Sequence, residues 1–332
     1  MRHRHSACLL AKTRQFLLAA ACLIALTACG GSDGAPPEIL TPTNLAVSPQ
    51  TVAASVSLRT PISPANIFTP TTGDVYVRQG GVTVDTSNVS SGYIMIRYEG
   101  NAPRVVARIE KPGAEQPYDF NLTKGGQWDV FTMTRGNGRY TITVLENVQG
   151  QMFATILTTS VYVTLTNPLL PFLHPNQYVN FNADSQAVAL AARLAEGAEN
   201  DLDVVRRIYR YIINNIVYDK ELALQITAGM ITTYIPDVDR TLQLRRGICF
   251  DYAALTAAML RAQHIPTRLE IGFVSGYLYH AWISVYTEET GWIYAIQFGE
   301  GWAIMDPTFS ASGPEFGEFV GDATNYNYLF LH

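Results

Sequence analysis

Apolar residues fall at alternate positions in short runs over the first half of the chain, and at three- and four-residue spacing over much of the second. Residues 93–98, 104–109, 128–133, 140–145 and 160–165 alternate or are rich in β-branched and aromatic side chains, which fit a pleated, half-buried surface. Glu99-Gly100-Asn101, Lys111-Pro112-Gly113 and Gly136-Asn137-Gly138 punctuate them as turns. No helical period of useful length appears there, so residues 51–166 predict an antiparallel β-sandwich of immunoglobulin-like kind.

Residues 167–177 hold three prolines between Asn167 and Pro175, which keep the backbone extended and mark a linker. Helical patterning begins after it. Asp184-Ser185 can cap a helix running to about residue 198, and Asp201 a second with Val205, Ile208, Ile212 and Ile216 on one stripe. A third is predicted over 242–262; its stretch from Tyr252 to Leu260 is apolar nearly all round, so it should be buried. It stops before Pro266. Strands are expected over 268–274, 280–286, 292–298 and 302–305, making residues 178–332 an α+β domain.

The N-terminus reads differently. Arg2, Arg4, Lys12 and Arg14 precede the apolar run 16–28, which is shorter than the roughly 20 residues a membrane-spanning helix needs. It ends in Leu26-Thr27-Ala28-Cys29, which resembles a bacterial lipobox. Residues 1–28 are therefore expected to be a lipoprotein signal peptide, Cys29 the lipid-bearing residue, and 29–50 a flexible tether rich in Gly, Pro, Ser and Thr. Gly30 rather than aspartate after Cys29 favours the outer membrane or cell surface as the location. Losing those four basic residues from 23 Lys and Arg leaves 19 against 28 Asp and Glu, near −9. That balance argues against nucleic acid or anionic lipid as the main partner.

Of four cysteines, Cys8 and Cys22 lie in the signal and Cys29 would be acylated, so Cys249 is the free thiol of the mature chain and no disulfide framework exists. Cys249 stands after Gly247-Ile248 where the buried helix gets under way, and free N–H groups at a helix start stabilise a thiolate. Arg245 and Arg246 add positive potential. His280 opens the apolar strand His-Ala-Trp-Ile-Ser-Val-Tyr, sharing a face with Trp282 and Ser284, and an imidazole beside a thiol can take its proton. Asp306, before Pro307, could fix the imidazole tautomer, or simply begin a turn. Gln243, six residues before Cys249, is either an oxyanion donor or a solvated glutamine. Trp282 either walls a cleft or fills a core, and Asp251 reads as a helix-start residue. The few histidines and single thiol do not cluster at metal-ligand spacing, so neither metal nor other cofactor is expected.

Taken together, Gly-Ile-Cys-Phe-Asp-Tyr-Ala opening a helix, Tyr-His-Ala-Trp on a strand and Trp-Ala-Ile-Met-Asp-Pro-Thr-Phe after it resemble the transglutaminase-like superfamily, with its papain-type fold. The spacings of 31 and 26 residues along Cys249, His280 and Asp306 suit that pattern. Where such domains usually carry glycine after this helix, this chain has His264. The resemblance covers roughly 150 residues and implies a Cys-His-Asp triad acting on amide bonds of peptides or proteins, cell-wall peptide among them. Hydrolysis as a cysteine peptidase or amidase is favoured over transglutaminase cross-linking, and a non-catalytic surface-binding or assembly module is the reading from another class.

Overall fold

The computed structural model describes residues 58–298, 301–312 and 323–332; the expected signal peptide, Cys29 and tether lie outside them. Eight strands come first: β1 (Tyr76–Gln79), β2 (Val82–Asp85), β3 (Tyr93–Tyr98), β4 (Val105–Glu110), β5 (Tyr118–Asn121), β6 (Trp128–Thr132), β7 (Gly138–Gln149) and β8 (Met152–Val163). They form two antiparallel sheets, ordered β1-β2-β3-β6 and β5-β4-β7-β8. Gly80 and Gly81 both take positive φ, which a two-residue turn between β1 and β2 demands. Val84, Ile94 and Ile96 from one sheet and Ala107, Ile142 and Val144 from the other are fully buried in a single apolar cluster. Each of these valine and isoleucine side chains contributes about 1.5–3 kcal/mol relative to exposure. Near the start of β7 the Tyr140 hydroxyl donates to the Gly136 carbonyl at 2.8 Å, tying the strand back to the turn before it. The alternation over 140–145 and 160–165 understates this hairpin, whose strands are 12 residues each. Its extra length lies in mixed polar stretches that carry no clean period.

The second half contains α1 (Gln186–Ala195), α2 (Asp201–Asn215), β9 (Val217–Tyr218), α3 (Lys220–Thr227), α4 (Val238–Leu244), β10 (Arg246–Gly247) and α5 (Cys249–Ala262). β11 (Thr267–Val274), β12 (Leu278–Thr287), β13 (Gly291–Ile293), β14 (Ala295–Phe298), β15 (Gly301–Ile304), α6 (Pro307–Ser312) and β16 (Tyr326–Leu331) follow. One antiparallel sheet runs β13-β12-β11-β16. Every residue of α5 is buried, as its apolar circumference requires, with α1, α2 and α4 and strands β11 and β12 around it. Leu269, Ile271, Ala281, Ile283 and Val285 join that helical core, whereas Val274 and Trp282 pack with Phe309 in a separate cluster.

The helix expected over 242–262 is broken. α4 ends at Leu244, Arg245 turns left-handed at φ 52°, and Arg246-Gly247 pair in parallel with β9 before α5 starts at Cys249. Gly247 is required there, because a Cβ would meet the Asp251 side chain at 2.6 Å. The cap of α2 is Asn200, accepting from the Asp203 N–H, one residue before the expected Asp201.

The two halves are joined through buried contacts. Tyr178 and Phe330 pack on both cores. The Tyr118 and Thr134 hydroxyls both donate to the Leu331 carbonyl. Arg261, near the end of α5, is fully buried and donates to the carbonyls of Thr267, His174 and His332. Residues 58–67 lie against the helices: Ile67 is part of their core and Ile62 packs on it. Ile62 exchanges two hydrogen bonds with the Gln263 side chain, and Arg59 pairs with Asp201.

Candidate active site

Cys249 occupies the first turn of α5 and is 2 % exposed. In that turn the Ile248 N–H is taken by the Asp251 carboxylate at 2.8 Å, so Asp251 is a helix-start residue as expected. The reciprocal half of a capping box is missing, since Ile248 has no acceptor. The N–H groups of Cys249 and Phe250 have no partner within the helix, and they lend the positive end of the helix dipole to the thiol. Burial lifts the Asp251 carboxyl to about 6 despite that N–H and a 2.7 Å bond from the Tyr234 hydroxyl.

His280, near the start of β12, is 5 % exposed. Its Nε2–H points to Asp306 Oδ2 at 2.7 Å, which leaves Nδ1 as the nitrogen for the Cys249 thiol. Phe309 stacks on the ring at 4.4 Å and 9°. Burial alone would push the imidazole down. The charges of Asp306 and Cys249 and hydrogen bonds to both outweigh it, so the ring is held well above its ordinary value.

Asp306 is fully buried and does two jobs at once. Oδ1 accepts from the N–H groups of Thr308 and Phe309 at 3.0 and 3.1 Å, capping α6, while Oδ2 faces His280. The Asp-Pro turn and the aim of Asp306 at His280 are therefore the same structural fact. A buried imidazole with a carboxylate on one side and a thiol at a helix start on the other is the arrangement needed to hold a thiolate–imidazolium pair.

Residues 188–295 match the family described as the Transglutaminase-like superfamily. They form a transglutaminase-like domain. The match takes in Cys249 and His280 and ends before Asp306. No curated protein matches the chain. Among solved structures, a candidate cysteine protease from Cytophaga hutchinsonii is similar at 15 % identity and a TM-score of 0.36, over 78 % of this chain and 83 % of that one. Red sea bream transglutaminase is similar at 13 % identity and 0.26, over 67 % and 48 %, and a further transglutaminase structure at 18 % and 0.28, over 50 % and 43 %.

The geometry brings Cys249, His280 and Asp306 together. Gln243 is exposed on α4, and among the described residues no hydrogen bond ties it to the other three. Trp282 is 2 % exposed, and its indole N–H donates to Glu270 Oε2 at 2.8 Å. Glu270, fully buried, also accepts from the Ser284 hydroxyl at 2.5 Å. The sequence pattern did not single out this carboxylate; its only signal is an acid at an inward position of an apolar strand. Nor did it single out Tyr326, whose hydroxyl donates to Asp306 Oδ2 at 2.9 Å. Among the described residues no group of three or more His, Cys, Asp or Glu could hold a metal ion.

Proposed function

We propose that this is an exported acyl-transfer enzyme that opens amide bonds of peptides or proteins through Cys249, His280 and Asp306. The observation that carries the reading is the buried 2.7 Å pair of His280 and Asp306 beside a thiol at the start of α5. The Cys249 thiolate attacks the carbonyl carbon, and the carbonyl electrons move onto oxygen. The N–H of Cys249 is the donor available to meet that oxyanion. His280 passes its proton to the leaving nitrogen as the C–N bond breaks, leaving a thioester and a free amine. Water then attacks the thioester while His280 takes its proton. The S–C bond breaks, the acid departs and the thiolate–imidazolium pair returns.

Hydrolysis is preferred to transfer onto an amine because water far outnumbers any amine acceptor at the cell envelope. Residues 1–29 support lipid attachment at Cys29 and a place at the outer membrane or cell surface. The strand order of the N-terminal sheets, with the Tyr140 corner, supports an immunoglobulin-like sandwich serving as a spacer or substrate-presenting module.

The test is the pH dependence of Cys249 alkylation by iodoacetamide, in the wild type and in His280→Ala. Fast alkylation already at neutral pH in the wild type, lost in the variant, is expected. A thiol that behaves as free in both proteins removes the basis of the reading. Incubating reactive protein with amide substrates, with and without a labelled primary amine, then separates release of acid from incorporation of amine.

A further inference from the structure

Asp306 accepts four hydrogen bonds, and their distribution is uneven in origin. The two on Oδ1 come from its own helix cap, so that oxygen is fixed by α6. The two on Oδ2 come from His280 at 2.7 Å and from Tyr326 at 2.9 Å, on the C-terminal strand β16 and outside the family match. We propose that Tyr326 is a positioning residue of the triad. By donating to the oxygen that also accepts from His280, it limits how tightly Asp306 holds the imidazolium and keeps that proton transferable to a leaving amine. This inference rests on the acyl-transfer reading.

The hydroxyl is held in place from several sides. The Tyr326 ring meets Trp282 edge-on at 5.0 Å and 76°, and Trp282 is anchored by Glu270, itself held by Ser284. β16 reaches this position only because Gly272 stands opposite on β11. A Cβ there would come within 2.0 Å of the Asn327 carbonyl and 2.6 Å of Tyr328 Cα, and the β11–β16 register shifts at this glycine. Burial first, and then the neighbouring Asp306, keep the phenol from ionising, so it remains a donor.

A hydrogen bond to a carboxylate draws charge toward the donor, and what the phenol takes is withheld from the imidazole. An Asp306 facing His280 alone would grip the proton harder. The ring would then be a weaker acid at the step where the amine leaves. The other titratable groups facing this cluster are Cys249 on α5, Arg268 and Glu270 on β11, Tyr279 on β12 and Tyr209 on α2.

The experiment is an NMR titration of the histidine rings in the whole folded chain and in Tyr326→Phe, with His280→Ala assigning the signal. The His280 midpoint is expected to rise by about one unit in Tyr326→Phe, since hydrogen bonds to charged groups are of that strength. Iodoacetate, whose carboxylate is drawn to the imidazolium, should alkylate Cys249 up to a correspondingly higher pH. Gly272→Ala, which must displace β16, should shift the midpoint the same way at a lower Tm. Equal His280 midpoints in wild type and both variants would overturn the inference. A Cys249 that is nowhere thiolate would instead sink the acyl-transfer reading, while the ring titration still reports whether Tyr326 shares the carboxylate.

Discussion

At Asp306, capping α6 and holding His280 use different oxygens, so two substitutions should come apart. In Asp306→Asn the remaining carbonyl can still accept from Thr308 and Phe309, but the amide now faces His280 with a donor instead of an anion. The imidazole must turn its other tautomer to Cys249. We expect Tm to fall little while amide turnover drops about 10²–10⁴-fold. Asp306→Ala should lose both stability and activity. Thermal unfolding beside single-turnover rates checks this, and a large Tm loss in the asparagine variant would contradict it. His264 offers a stability test away from the chemistry. It sits at φ 58°, where a side chain other than glycine's costs about 1–2 kcal/mol. His264→Gly gives up some unfolded-state restraint in return, so a net gain of up to about 1 kcal/mol in urea unfolding is expected. The sequence made these residues legible because each sits in a short local pattern: a lone thiol before a buried helix, a histidine opening a strand, Asp before Pro. Tyr326 and Glu270 carry no such pattern. Their meaning arises only when β16 and β12 are laid on either side of β11, a pairing of distant segments.

Among elements, α5 is the one on which the rest converge. Its burial follows from an apolar circumference and was readable, as was Cys249 at its start; that Leu242–Leu244 belong to a separate helix was not, because Arg245 and Arg246 fit a helical window until Gly247 forces the turn. The other end depends on Arg261, a buried cation whose described partners are carbonyls, and burial lowers its guanidinium to about 9. Arg261→Met would fill similar volume but strand the carbonyls of His174 and Thr267, while that of His332 keeps the Leu269 N–H. We expect a loss of about 3 kcal/mol or more in denaturant unfolding, because each unmet buried acceptor costs about 1–3 kcal/mol. A neutral result would mean that water replaces the guanidinium. The hairpin β7–β8 shows the opposite kind of miss, with strands that run on past their alternating, buried stretch through continued cross-strand pairing.

For the molecule as a whole, the acid response is set where its halves meet. Burial pushes His174 down to about 4 and His332 down to about 3, so both fold as neutral rings. The unfolded chain binds protons at these rings below about 6.5, and the folded one does not until roughly 4 or lower. Stability should therefore fall as pH drops from about 6.5 toward 4. His280 works in the other direction. Its folded value is raised, so its contribution is complete below about 6.5 and fades as pH climbs through the folded value. Tm measured across this range should peak between the two losses. His174→Gln should flatten the acid side and leave the alkaline side unchanged; a profile unaltered by that substitution would assign the acid loss elsewhere.

The strap of residues 58–67 has a mechanical meaning. It is fastened at Gln263, just past the last residue of α5, whereas Cys249 is the first, about 20 Å away along a helix of 14 residues. Tension on the chain upstream of Leu58 is therefore taken up first at Arg59, Ile62 and their holds on Asp201 and Gln263. The load enters at the foot of the helix. Cys249, at the far end of the same rod, is the helix residue most distant from the point where that load arrives.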